Sequence, residues 1–133
     1  MNDKAKEAVR NKKILLVDDD PALLDLVGSK LELTGYRVLK ADNGLEAVKL
    51  ARAEKPHLII MDLLMPLMGG AGAVIALKED RATKNIPIFF LTGAELDADE
   101  LMRERIGVDV IFRKPFSLKE LLEKIREVLD RKR

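Results

Sequence analysis

The chain has 133 residues, 47% of them hydrophobic, with 24 Lys+Arg against 23 Asp+Glu, one His, no Cys and no Trp. That length suits one compact domain with short extensions and enough apolar residues for a core, which excludes a disordered chain; without cysteine, disulfides, thiolate metal sites and thiol catalysis are excluded too. Residues 1–13 carry five basic groups (Lys4, Lys6, Arg10, Lys12 and Lys13), and Arg131, Lys132 and Arg133 add three more, so residues 14–130 hold 16 basic against 21 acidic groups, a body too acidic to be built around nucleic acid.

Ile14-Leu15-Leu16-Val17 is a short apolar run without in/out alternation, as expected of a strand covered on both faces. Asp20-Pro21 reads as an N-cap with proline in the first helical position. Leu23, Leu24, Val27 and Leu31 then keep a 3.6 period until Gly35 stops the helix. Tyr36 to Ala41 is mixed and reads as an edge strand. Asn43-Gly44 precedes a helix over 45–54, ended by Pro56, that turns Ala47, Val48, Leu50 and Ala51 inward. His57, the single histidine, reads as a strand-entry residue before the second apolar run, Leu58-Ile59-Ile60-Met61. A small-residue helix is predicted over 70–80, where Gly69, Gly70 and Gly72 weaken the first turn by up to about 1 kcal/mol each relative to alanine. Ile88-Phe89-Phe90-Leu91 is a fourth strand. A weaker helix over 97–106, closed by Gly107, leads to a fifth strand over 108–112. In the last helix Ser117 is the N-cap and Glu120 completes a capping box. Leu118, Leu121, Leu122, Ile125, Val128 and Leu129 form its apolar stripe.

Five β-α units in succession imply an α/β fold, a doubly wound (βα)5 five-stranded parallel sheet with helices on both faces. The organisation expected is a basic N-terminal tail over 1–12, one domain over 13–130, and a basic end over 131–133. The longest uncharged stretch, 63–77, has 15 residues and contains one proline and three glycines, short of the roughly 20 apolar residues a membrane helix needs. The charged N-terminus has no apolar signal stretch, so a cytoplasmic location is expected.

In open α/β sheets ligands bind beyond the carboxyl ends of the strands. There the sequence places Asp18-Asp19-Asp20 after the first strand, Asp62 after the third, Thr92 after the fourth and Lys114 after the fifth. Two carboxylates 5 Å apart repel by roughly 3 kcal/mol at an effective dielectric near 20, so such a cluster takes up protons or recruits a cation. Oxygen donors without His or Cys suit a hard dication such as Mg2+. A hydroxyl and an ammonium beside it suit phosphoryl transfer, with one carboxylate as nucleophile.

Four segments, Leu16-Val17-Asp18-Asp19-Asp20-Pro21, Met61-Asp62-Leu63-Leu64-Met65-Pro66, Leu91-Thr92-Gly93-Ala94 and Lys114-Pro115-Phe116, together resemble the response-regulator receiver domain of two-component signalling, in its single-domain form, over essentially all of 13–130. The resemblance implies a flavodoxin-like sheet in strand order 2-1-3-4-5. It implies Asp62 as phosphoacceptor, receiving the group from a sensor histidine kinase or a histidine phosphotransfer protein. By the same resemblance Asp19 binds Mg2+ directly, Asp18 mainly through water, and the Leu64 backbone carbonyl completes the protein ligands. Thr92 and Lys114 contact phosphoryl oxygens, and the Lys114–Pro115 bond is cis. A downstream protein partner meets the last two β-α units, without direct nucleic-acid contact or membrane insertion.

The chain also departs from that family's pattern. Ile111 stands where an aromatic residue is usual three places before the lysine, so coupling of the site to the output face is expected through backbone and packing shifts. Leu67 replaces a common glycine. Leu64 and Ala94 offer no polar side chain to orient a hydrolytic water, which implies slow self-dephosphorylation. Two other functions compete: a receiver that binds its partner without phosphorylation, and a Mg2+-dependent phosphohydrolase acting through an aspartyl phosphate. The hydrolase would want a second acid two residues after the nucleophile, where this chain has Leu64.

Overall fold

The computed structural model describes residues 11–62, 69–93 and 110–131. Its elements are β1 (Lys13–Val17), α1 (Pro21–Thr34), β2 (Arg37–Ala41), α2 (Gly44–Glu54), β3 (Leu58–Asp62), α3 (Gly70–Glu79), β4 (Ile88–Thr92), β5 (Val110–Arg113) and α4 (Leu118–Arg131). The strands form one sheet in the order β2-β1-β3-β4-β5, every neighbouring pair parallel. This is the doubly wound, flavodoxin-like arrangement expected from the sequence. The helix predicted over 97–106, the residues Leu64, Leu67 and Ala94, and residues 1–10 lie outside the described residues. Among the described residues no helix is long and apolar enough to cross a membrane.

The missing in/out alternation has its explanation in two cores. Leu15, Val17, Ile59, Met61 and Phe90 pack with Ala47, Val48 and Ala51 of α2 and with Val74 and Leu77 of α3. Their strand neighbours Ile14, Leu16, Leu58, Ile60, Phe89 and Leu91 point the other way, onto Val27 and Leu31 of α1 and Leu121, Ile125 and Leu129 of α4. Both strand faces are dry, so both must be apolar. Edge strand β2 keeps only Ala41 fully buried.

Several boundaries differ from the sequence expectation, each for a backbone reason. β3, β4 and β5 each run one residue past the apolar run, to Asp62, Thr92 and Arg113, because ladder hydrogen bonds continue under a polar side chain. The predicted start of the fifth strand, at 108, lies outside the described residues. Tyr36 belongs to the helix end rather than to β2: its N–H donates to the Leu31 carbonyl at 3.1 Å, behind Gly35 at φ 115°, a left-handed C-terminal closure that favours glycine. α2 closes on Lys55 (φ 45°), whose N–H donates to the Ala51 carbonyl, one residue before Pro56. The caps at Asp20, Asn43 and Ser117 each accept a backbone N–H, from Ala22, Glu46 and Glu120 respectively. α3 starts on Gly69 with no side-chain cap.

His57 does more than enter a strand. Its N–H donates to the Lys13 carbonyl at 2.9 Å, and its Nδ1 accepts the Lys13 N–H at 3.0 Å, clasping the start of β1 through both main-chain groups of Lys13. Only an unprotonated Nδ1 can accept. Burial, and then the charges of Lys12 and Lys13, hold the imidazole below its ordinary value of 6.5. The unfolded chain therefore binds the proton more tightly, so this contribution to stability is complete above about pH 6.5 and is lost as pH falls toward the lowered folded value. Thermal melting from pH 8 to 5 is expected to show that loss, and a His57→Asn variant, which keeps an acceptor but cannot titrate, is expected to lack it. Parallel melting curves would remove the clasp.

Candidate functional site

Three consecutive aspartates at the end of β1 take three different positions. The Asp18 N–H still pairs with the Ala41 carbonyl of β2 at 3.1 Å, which aims its side chain into the sheet's upper corner, where it is 0% exposed. Its Oδ1 accepts the Asp20 N–H at 2.9 Å, locking the turn into α1. Asp19 is exposed. Asp20 spends its carboxylate on the cap of α1, as the sequence indicated.

Asp62 is the last residue of β3. Met61 is the register partner of Val17, so Asp62 stands level with Asp18 on the neighbouring strand. It is 7% exposed. One carboxylate oxygen each of Asp18, Asp19 and Asp62 lies within 4.8 Å of the others. Lys114 follows β5 and reaches across the end of β4: its Nζ donates to Asp18 Oδ2 at 2.9 Å and to Asp62 Oδ2 at 3.4 Å. Burial alone would lower the ammonium pKa, but the hydrogen bond and charge of Asp18, and then of Asp62, outweigh it and raise the group above its ordinary value. The Lys114–Pro115 peptide is cis, as expected. The Thr92 backbone ends β4 opposite Arg113, in the strand between Asp62 and Lys114.

The three carboxylates and one ammonium leave a formal surplus of two negative charges in a partly dry corner. The donors are all hard oxygens, and the fit is to a small dication held by one or two carboxylates and waters. No nitrogen or sulfur ligand competes, because the chain has no cysteine and His57 sits at the opposite edge of the sheet. Asp18, Asp62 and Lys114 thus converge as the sequence placed them, with Asp19 at the rim. Leu64, expected to offer its carbonyl, lies outside the described residues.

Sequence reasoning missed a groove of about 370 Å3 beside this corner, lined mainly by Ala22, Leu23, Leu26, Phe116 and Leu118, with Asp20 and Lys114 at its polar end. The signal available was Leu26, which falls off the inward stripe of α1 and is 66% exposed. Ile111 of β5 is partly buried against the α2 and α3 core.

Comparison with known proteins places these features in context. Residues 14–126 match the family model described as response regulator receiver domain. The chain is 38% identical over 117 residues to protein PilH of Pseudomonas aeruginosa, covering 88% of this chain and 97% of that one. It is 37% identical over 119 residues to the DNA-binding dual master transcriptional regulator RpaA of Synechocystis, covering 90% of this chain. The chain spans about half the length of RpaA and of several other curated relatives it matches. Among solved structures, the receiver domain of sensor histidine kinase PA1611 from Pseudomonas aeruginosa, with a magnesium ion coordinated in its active site cleft, superposes with a TM-score of 0.82 at 28% identity, covering 90% of this chain and 98% of that one.

Proposed function

This chain belongs to the response regulator receiver domain family, and from that premise we propose that it is a switch whose Asp62 accepts a phosphoryl group from a phosphohistidine on a sensor kinase or phosphotransfer protein. The observation that carries the proposal is the near-buried Asp62 carboxylate, within 4.8 Å of two further carboxylates and 3.4 Å from the Lys114 ammonium. An Asp62 oxygen attacks phosphorus, the P–N bond to the imidazole breaks, and the bond's electron pair leaves with that ring, which takes up a proton. Asp18, Asp19 and Asp62, with the Leu64 carbonyl, are the residues that would hold Mg2+. Bound there, the ion supplies positive charge against the phosphoryl oxygens. Lys114 supplies a second positive charge, and Thr92 is the hydroxyl that follows the phosphoryl group. With Ile111 in place of an aromatic, the signal passes to the last two β-α units by backbone and packing shifts, changing affinity for a protein partner. Incubation with acetyl phosphate and Mg2+, read by intact mass, tests the reading: a gain of one phosphoryl group is expected. No gain would favour a receiver that works unphosphorylated.

The groove beside Lys114, lined in part by Leu26 and Phe116, offers an apolar hold to a phosphoryl donor protein that brings its imidazole to Asp62. Leu26→Asp is expected to lower phosphotransfer from the cognate donor by at least tenfold, the cost of a buried charge at an interface. Labelling by acetyl phosphate should be unchanged, because that donor needs no groove. Equal loss with both donors would contradict the docking role.

The phosphorylated state is expected to persist. Leu64 cannot align a water for attack on the aspartyl phosphate, whereas a Leu64→Asn variant can; its lifetime, followed by loss of the phosphoryl mass, should be the shorter of the two.

A further inference from the structure

Several basic groups stand at the end of the sheet where the strands begin, opposite the acidic corner. Lys13 and Arg37 are register partners on the first rung of β1 and β2, and His57 is bonded beside Lys13. The Lys12 carbonyl accepts the Arg37 N–H at 3.0 Å. Lys55 closes α2 next to them, and Lys84 stands in the turn that carries α3 into β4. Arg37, Lys55 and Lys84 are exposed. Of the acids at this end, Glu54 is paired with Lys13 at 3.4 Å and Asp80 with Arg52 at 2.8 Å; Glu32, Glu79 and Asp130 are further acids near the ends of α1, α3 and α4.

Arg126 and Asp130 of α4 act electrostatically on Tyr36, the residue before β2. The local potential is felt by His57, held down by burial and then by the charges of Lys12 and Lys13.

Lys12, Lys13, Arg37, Lys55 and Lys84 sit on separate segments that the sheet topology gathers at one end. Lysines outnumber arginines, giving point charges rather than planar forks. Among the described residues at this end the one aromatic, Tyr36, is buried, which leaves none there to stack on a base. Such an array reads charge density and not base edges. The acidic corner lies a strand's length away, roughly 17 Å, so the nearer basic groups dominate the interaction with a flat anionic surface that meets the basic end.

We propose that the basic end seats the domain on an anionic phospholipid surface, with Asp62 facing away from it. This contact goes beyond the phosphotransfer reading and does not depend on it. The full chain is mixed with vesicles of phosphatidylglycerol and phosphatidylcholine, or of phosphatidylcholine alone, and sedimented at low and high salt. Binding is expected only to the anionic vesicles and only at low salt. The triple variant Arg37→Gln, Lys55→Gln, Lys84→Gln should bind about 100-fold more weakly, roughly fivefold per charge removed, while melting at the parent temperature. Should the triple variant melt early, Arg37→Gln alone, at an exposed site, carries the comparison with its fivefold loss. Absence of binding to anionic vesicles, equal binding by the variants, or stronger binding to duplex DNA than to vesicles at matched phosphate concentration would each overturn the proposal.

Discussion

Asp62→Asn is expected to take up no phosphoryl group from acetyl phosphate, where the parent chain is expected to take up one. The amide keeps the shape of the carboxylate but has no negative oxygen to attack phosphorus. The substitution should leave the fold intact, because carboxylate oxygens within 4.8 Å of each other repel by about 3.5 kcal/mol or more at an effective dielectric of 20. Relieving that repulsion offsets the weakened 3.4 Å contact to Lys114, whose shorter 2.9 Å bond to Asp18 remains. A melting temperature at or above the parent's, together with a silent mass spectrum, is the expected pair of results. A variant that still gains a phosphoryl group would move the acceptor to another residue.

Lys114→Met should reveal how much of the corner is held by its one ammonium. Methionine keeps most of the stem and removes the charge, leaving Asp18, fully buried, and Asp62, nearly so, without their shared cation. Losing a hydrogen bond to a buried ionised group costs about 1–3 kcal/mol. Added Mg2+ is expected to restore that stability, so the variant's melting temperature should climb steeply with Mg2+ while the parent's rises less. Phosphorylation should slow on the order of 100-fold, as when one donor to a developing oxyanion is removed. The parent also has an alkaline limb. Its ammonium pKa is raised in the fold, so the stabilisation is complete below about pH 10.5 and is lost as pH rises through the folded value. The variant should lack that limb. A variant insensitive to Mg2+ would show that Lys114 does not neutralise the corner.

The strand cores were legible because two-sided burial leaves a distinctive trace: four or five apolar residues in a row, as in Leu58 to Met61. Asp18, Asp62 and Lys114 were legible because each follows such a run, and parallel strands finish at one edge. Harder to read was anything decided by backbone hydrogen bonds alone. Tyr36 looks like the first residue of a strand, yet its N–H serves the end of α1, and the identity of the side chain does not encode that choice. His57 gave no sign that its ring would accept a main-chain donor, since that depends on Lys13 lying across from it. The groove over Leu26 needed α1 and the segment around Phe116 in contact before an off-stripe leucine acquired meaning.

The strand order has a consequence for synthesis. β1 lies between β2 and β3, so a nascent chain leaving the ribosome presents Ile14 to Val17 first but cannot cover both sides of that strand until residue 62 has emerged. Asp62 can then meet Asp18 before Lys114, 52 positions later in the chain, has emerged. For that interval the half-built corner carries its negative charge without its ammonium, and dissolved divalent ions are the counter-charge available to it. Ribosome-bound chains stalled before and after residue 114 should differ in how strongly Mg2+ protects them from protease.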